Sequence, residues 1–201
     1  MGIGEVFKRR YLHVSLEDFG QEGTNVEREL EAYALISDLN ELKNAASIEQ
    51  QEQYGIVPAT GTGHKGSTRI RKTVKAGETT FMHTTKVLLK DGSNLETNKE
   101  SSEEMFTAFK NLANDGMLKD RFIFPIEGTQ LKWEVDVFPQ ADGSYAPWVK
   151  LDLEIPEGMN LQAIPNLPFN SKKTVFKNRK DPSILEFIGK LYDQYFKFKP
   201  E

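Results

Sequence analysis

Thr68-Arg-Ile-Arg-Lys-Thr-Val-Lys-Ala-Gly-Glu-Thr-Thr-Phe-Met-His-Thr-Thr-Lys86 reads as two β-like runs joined by the turn Lys75-Ala-Gly-Glu78. Arg69 and Arg71 are two residues apart, so in a strand they project from one face. A hairpin brings Lys86 onto that same face. Cations gathered on one side of a sheet require either water or a shared anion. Exposed to water, they are an ordinary solvated strand face; turned inward, they are an anion site.

Several stretches extend the pattern. Glu96, Asn98 and Glu100 alternate onto one face of a polar run. The runs 118–124 and 131–138 are strand-like and are joined by a turn at Glu127-Gly128. In 148–155 the alternation is strict, with Lys150, Asp152 and Glu154 on one face and Val149, Leu151, Leu153 and Ile155 on the other. Residues 4–14 read as a strand of mixed charge.

Three helices are expected. The first spans 26–46, from the capping-box spacing of Thr24 and Glu27 and the interval of Leu35, Leu39 and Leu42. The second spans 103–114, capped by Ser101 or Ser102, with Met105, Phe106, Phe109 and Leu112 as its apolar side. The third spans about 181–196, with Pro182 in its first turn and Ile184, Phe187, Ile188, Leu191 and Tyr192 buried. Residues 47–67 read as polar loop. One domain over 1–201 is the economical organisation, with a helical or loop insertion over 15–67.

Composition narrows the function classes. The 201 residues are 38% hydrophobic and 28% charged, as in a soluble globular chain. A net charge of −4 argues against general nucleic-acid coating. With no cysteine there are no disulfides or thiolate zinc sites, which suits the cytoplasm. No apolar run approaches the ~20 residues of a membrane span, and no apolar segment follows Lys8-Arg-Arg10 to make a signal peptide.

Other motifs carry less. The glycine-rich loop Pro58–Ser67 lacks P-loop spacing. His13, His64 and His83 have no ligand spacing, Ser-His-Asp catalysis has no local support, and Trp133 and Trp148 are simplest as core residues. The basic cluster of Lys172, Lys173 and 177–180 reads as a solvated face; contact with RNA or an acidic partner is its less favoured alternative.

Apolar helices must cover something. If they cover the apolar strand faces, the charged faces look into a curled sheet, where Arg69, Arg71, Lys86, Lys119 and Arg121 converge with Glu96, Asp136, Asp152 and Glu154. Unpaired charges do not stay buried, so such an interior is wet and suits a polyanion and a divalent cation. The rival arrangement is a flat antiparallel sheet with a solvated charged face. Periodicity does not choose between the two.

From Thr68 to about Arg179 the chain resembles the CYTH family, the triphosphate tunnel metalloenzymes. The motifs that carry the likeness follow in order: Arg69-Ile-Arg71, Thr84-Thr-Lys86, the polar run from Glu96 to Glu100, Lys119-Asp-Arg121, Trp133-Glu-Val-Asp-Val-Phe138, Asp152-Leu-Glu154 and Val175-Phe-Lys-Asn178. The resemblance implies an α+β fold, an antiparallel eight-stranded β-barrel tunnel with helices packed outside. It implies Arg10, Arg69, Arg71, Lys86, Lys119 and Arg121 as the phosphate grip, Lys86 and Arg121 as catalytic groups, and Asp152, Glu154, Asp136 and Glu96 as carboxylates for Mg²⁺ or Mn²⁺. The implied activity is metal-dependent hydrolysis of inorganic triphosphate, a nucleotide or thiamine triphosphate; the alternative is a nucleotide- or polyphosphate-binding protein on the same barrel. The family's opening Glu-x-Glu-x-Lys motif is altered. Around Glu5–Leu12, Arg10 stands near the lysine position and Val6 and Lys8 replace the glutamates; around Asn25–Leu30, Glu27 is in register and Glu29 takes the lysine position.

Overall fold

Alternating strands sort their side chains between two environments, and that sorting builds the molecule. In the strand Trp148–Pro156, Val149, Leu151 and Leu153 are fully buried in an apolar core, while Lys150, Asp152 and Glu154 face the other way. The computed structural model describes residues 24–36, 38–56, 66–89, 94–113, 116–171, 173–177 and 182–191. Its elements are β1 (Thr24–Leu35), β2 (Ser47–Ile56), β3 (Gly66–Lys75), β4 (Glu78–Leu88), β5 (Asn94–Glu100), α1 (Glu103–Leu112), β6 (Gly116–Pro125), β7 (Lys132–Val137), β8 (Trp148–Pro156), β9 (Lys173–Phe176) and α2 (Pro182–Leu191), with a 3-10 turn at Leu39–Leu42.

The nine strands form one antiparallel sheet in the order β5-β4-β3-β2-β6-β7-β8-β1-β9. β1 uses one edge for β8, while its other edge pairs β5 near its start and β9 near its end. The β1–β5 register, Thr24↔Thr97 to Glu27↔Asn94, joins the first and eighth strands of that order.

The expected helix over 26–46 is a strand and a 3-10 turn instead. Glu, Ala and Leu favour helix locally, but Leu30, Ala32 and Ala34 alternate into the apolar core while Glu29 and Glu31 fall opposite Glu154 and Asp152 of β8. Tertiary pairing overrides a weak local preference here. Leu39 and Leu42, which suggested a helical interval, belong to the 3-10 turn capped by Asp38. The expected loop over 47–67 contains β2, and β1 and β2 are both strands of the sheet rather than an insertion. The expected strand at 4–14, Arg10, the cluster 178–180 and most of the glycine-rich loop lie outside the described residues.

Two apolar clusters cover the faces of the strands that do not carry the charges. Trp133, Val135, Leu151, Leu153, Ala32 and Phe169 pack with segment 156–170 and with Phe176 of β9, and Trp133 Nε1 donates to the Asn166 carbonyl at 3.0 Å. α1 covers Tyr54 and Ile70 through Phe106 and Phe109. Ser102 caps it, accepting from the Met105 N–H at 3.2 Å. Met105 and Leu112, expected on its apolar side, are 49% and 76% exposed, because a single buried stripe is all the underlying sheet face admits. In α2, Ile188 and Leu191 are buried as expected.

The β3–β4 hairpin turns through Ala76 at φ 49° and Gly77 at φ 85°. Both central residues are left-handed, a geometry that favours Asn-Gly. Ala76→Asn is expected to raise unfolding stability by about 1 kcal/mol, measured by chemical denaturation; an unchanged or lower value contradicts the turn assignment.

Candidate functional site

The strand faces opposite the apolar clusters enclose a cavity of about 350 Å³, lined by charged and amide side chains from seven strands. Cross-strand registers set its two halves. β3, β2 and β6 bring together Arg69, Arg71, Gln51, Gln53, Lys119 and Arg121. β7, β8, β1 and β5 contribute Glu134, Asp136, Asp152, Glu154, Glu29 and Glu96, with Lys132 and Lys150 among them.

Asp136 is the most committed carboxylate. Fully buried, it accepts from Arg121 Nε at 2.7 Å, Arg121 Nη2 at 2.9 Å and Lys119 Nζ at 2.5 Å. Burial alone would raise its pKa, but Arg121 and Lys119 outweigh that and hold it well below the usual carboxylate range. Arg121 also donates to Glu134 and lies 3.7 Å from Asp152. Burial disfavours its guanidinium, yet Asp136 and Glu134 keep it firmly charged. Lys119 receives less compensation: burial and the Arg121 charge push it down to about 7 against the pull of Asp136.

The other carboxylates are engaged in the same way. Lys150 contacts both oxygens of Asp152. Lys132 pairs with Glu134 at 2.6 Å. Lys86 bridges Glu29 at 3.1 Å and Glu96 at 2.5 Å, and although burial disfavours its charge, those two carboxylates hold its pKa above the usual range. It is not among the lining residues. Asn98 links Glu96 at 2.8 Å to Thr84 at 2.7 Å. Lys177, expected on a solvated face, instead holds both oxygens of Glu31 at 2.9 Å.

Three charged groups stand apart. Arg69 and Arg71 contact no carboxylate among the described residues, and the Nε of each is buried without an acceptor. Burial, Arg69 and Arg121 hold Arg71 down to about 10. Glu154 likewise has no cation partner among the described residues; burial and then the Glu134 charge raise its pKa. Its cross-strand partner is Glu29. Among the described residues no three carboxylate or imidazole groups converge as a metal-holding cluster. Asp136, Asp152, Glu134 and Glu96 fit a cation poorly while lysine or arginine occupies their oxygens, whereas Glu154 fits one.

The structure therefore brings Arg69, Arg71, Lys119, Arg121, Glu96, Asp136, Asp152 and Glu154 to one cavity, with Lys86 beside it. The sequence reading noted Glu29 only in the altered opening motif and not as a site residue, because it fell in the expected helix, and it missed Glu49, Gln51 and Gln53, hidden in the expected loop. It also passed over Lys132 and Glu134. The signal was available in Glu49, Gln51 and Gln53, which repeat at a period of two. His83 sits on the opposite face against Phe109, ring centroids 5.8 Å apart, in a structural position.

Lys119 gives the site a pH signature. Its folded value near 7 lies below the unfolded value of about 10.4. Between those limits the unfolded chain binds more protons, so this group makes the fold more stable as pH rises from about 7 towards 10, by at most about 1.4 kcal/mol per unit. Denaturation of the parent and of Lys119→Met across that range is expected to show the difference shifting in the parent's favour with rising pH; a difference independent of pH contradicts it.

No protein-family model matches the chain, and no curated protein matches it. Two solved structures align with most of the chain. The PH1819 protein from Pyrococcus horikoshii OT3 aligns at 17% identity and a TM-score of 0.46, covering 83% of this chain and 87% of that one. The conserved hypothetical protein Pfu-838710-001 from Pyrococcus furiosus aligns at 17% identity and a TM-score of 0.41, covering 83% and 91%. At that identity and superposition neither likeness bears on function. No helix among the described residues is long and apolar enough to cross a membrane.

Proposed function

We propose that the cavity binds a triphosphate-bearing small molecule and that the protein hydrolyses it with the help of Mg²⁺ or Mn²⁺, as its resemblance to the CYTH family implies. The observation that carries this reading is the pair Arg69 and Arg71, half-buried on one face of β3 with no carboxylate contact among the described residues and with each Nε buried without an acceptor. Two guanidiniums so placed repel each other, and a polyanion offsets that repulsion. The tunnel form of the barrel is part of the proposal. It is supported by the β1–β5 pairing and by the charged lining drawn from seven strands.

Arg69 and Arg71 of β3 grip phosphate oxygens, and Lys119 and Arg121 add positive charge from β6, on the far side of β2. Held in place by Asp136, Arg121 needs little reorganisation to meet the charge that develops on transfer. Lys86, engaged by Glu29 and Glu96, positions those carboxylates rather than touching phosphate. Glu154, which has no cation partner among the described residues, would hold the divalent cation. One or two carboxylates suffice for Mg²⁺ when substrate phosphates and water supply its other ligands. A cation so held neutralises phosphate charge and polarises the bond to be broken.

A second reading, a protein that binds a nucleotide or polyphosphate without turnover, is favoured by one observation. Asp136, Asp152 and Glu134 are already neutralised by lysine and arginine.

Phosphate release from inorganic triphosphate, ATP and thiamine triphosphate with Mg²⁺ or Mn²⁺, together with calorimetric affinity, separates the readings. Arg71→Ala is expected to weaken ligand binding by about 30-fold or more, and Glu154→Gln to remove metal-dependent release. Tight binding with no release in the parent leaves the binding protein. Failure of every phosphorylated ligand to bind overturns both.

A further inference from the structure

Two amides on the β2 wall of the cavity are only half used. Gln51 is 4% exposed, and its Nε2 donates to Glu49 Oε2 at 2.9 Å, which fixes the amide orientation and leaves Oε1 without a donor. Glu49 is itself held by Lys75 at 3.0 Å. Gln53 repeats the arrangement: its Nε2 lies 3.6 Å from Met117 Sδ, and its buried Oε1 has no donor. In the β2–β3 register Gln53 lies opposite Arg71. The unused acceptor of Gln53 thus stands beside Arg71 and its unused Nε donor, while Gln51 lies opposite Thr73 of β3 and Lys119 of β6.

Phosphate chemistry matches only half of that wall. An ionised phosphate offers acceptors, which suit the arginines and leave the glutamine carbonyls unmet. A ligand that displaces water from a buried acceptor without replacing the hydrogen bond loses affinity. Directly opposed strand residues have Cβ atoms about 4.5–5.5 Å apart, so the missing donor must lie only a few bonds from the phosphates. Sugar hydroxyls meet that condition. A flat ring does not find a stacking surface among the described residues, of which Met117 is the one apolar residue in the lining and none there is aromatic.

Resting on the phosphate-binding reading above, we propose that Gln51 and Gln53 determine specificity by accepting hydrogen bonds from sugar hydroxyls next to the phosphates. The ligand is then a sugar or nucleoside 5′-triphosphate rather than inorganic triphosphate. Gln51 and Gln53 are binding residues in this proposal; they take no part in bond breaking.

Calorimetry without added divalent cation, so that no turnover intervenes, tests it with ATP, 2′,3′-dideoxy-ATP and inorganic triphosphate. The unmodified protein is expected to bind ATP roughly tenfold or more tightly than either of the others. Gln51→Met and Gln53→Met are expected to narrow that gap. Equal affinity of the unmodified protein for ATP and either comparison ligand overturns the inference while leaving phosphate binding intact, as does a gap that survives both substitutions. Binding of none of the three overturns the phosphate reading and the inference together. The comparison of ligands on the unmodified protein decides the matter even if a variant folds poorly.

Discussion

Arg121 and Asp136 meet inside the sheet, and the cost of burying their charges constrains everything around them. Removing an ion from water costs several kcal/mol even after relaxation, so neither residue is tolerable there alone. The pair is held by a two-nitrogen clasp and reinforced by Lys119 and Glu134. Arg121 is opposite Asp136 in the β6–β7 register. A slip of one residue would send every side chain of one strand to the other face, placing Val135 in the cavity and Asp136 in the apolar core. The ion pair thus fixes register, and register fixes which face is wet.

The other face follows from the same parity. Val135, Leu151 and Leu153 are fully buried, while their chain neighbours at even positions point into the cavity. That apolar layer needs cover, which comes from segment 156–170, β9 and the 3-10 turn on one side and from α1 on the other. β9 is also tied by an ion pair, Lys177 to Glu31, next to the strand that carries Glu29. The side chains of the site therefore stand on paired strands rather than on loops, which suits a geometry set before any ligand arrives.

Strict alternation made β8 legible, β6 and β7 read as strand-like runs joined by a turn, and the Ala-Gly turn located the β3–β4 hairpin. Parity within strands and the family resemblance together gathered Arg69, Arg71, Lys119, Arg121, Asp136, Asp152 and Glu154 as one expected site. β1 and β2 were misread for a physical reason. A strand that faces a wet interior carries Glu and Gln where a strand signal wants apolar residues, and β1 adds Ala and Leu, which favour helix in isolation. Which cation holds which carboxylate was not legible, because Lys86 reaches Glu29 only once β4, β5 and β1 are neighbours. Gln51 and Gln53 repeat at strand period, but nothing in the sequence marks their carbonyls as unmet.

The central claim is that a charged, water-accessible interior exists and that its unpaired arginines receive an anion. A crystal structure determined after soaking with a triphosphate ligand tests it most directly. The expected result is ligand density in the cavity lined by the charged strand faces, with phosphate oxygens on Arg69 and Arg71. Density only on the outer surface, or an interior packed with apolar side chains, would contradict the account.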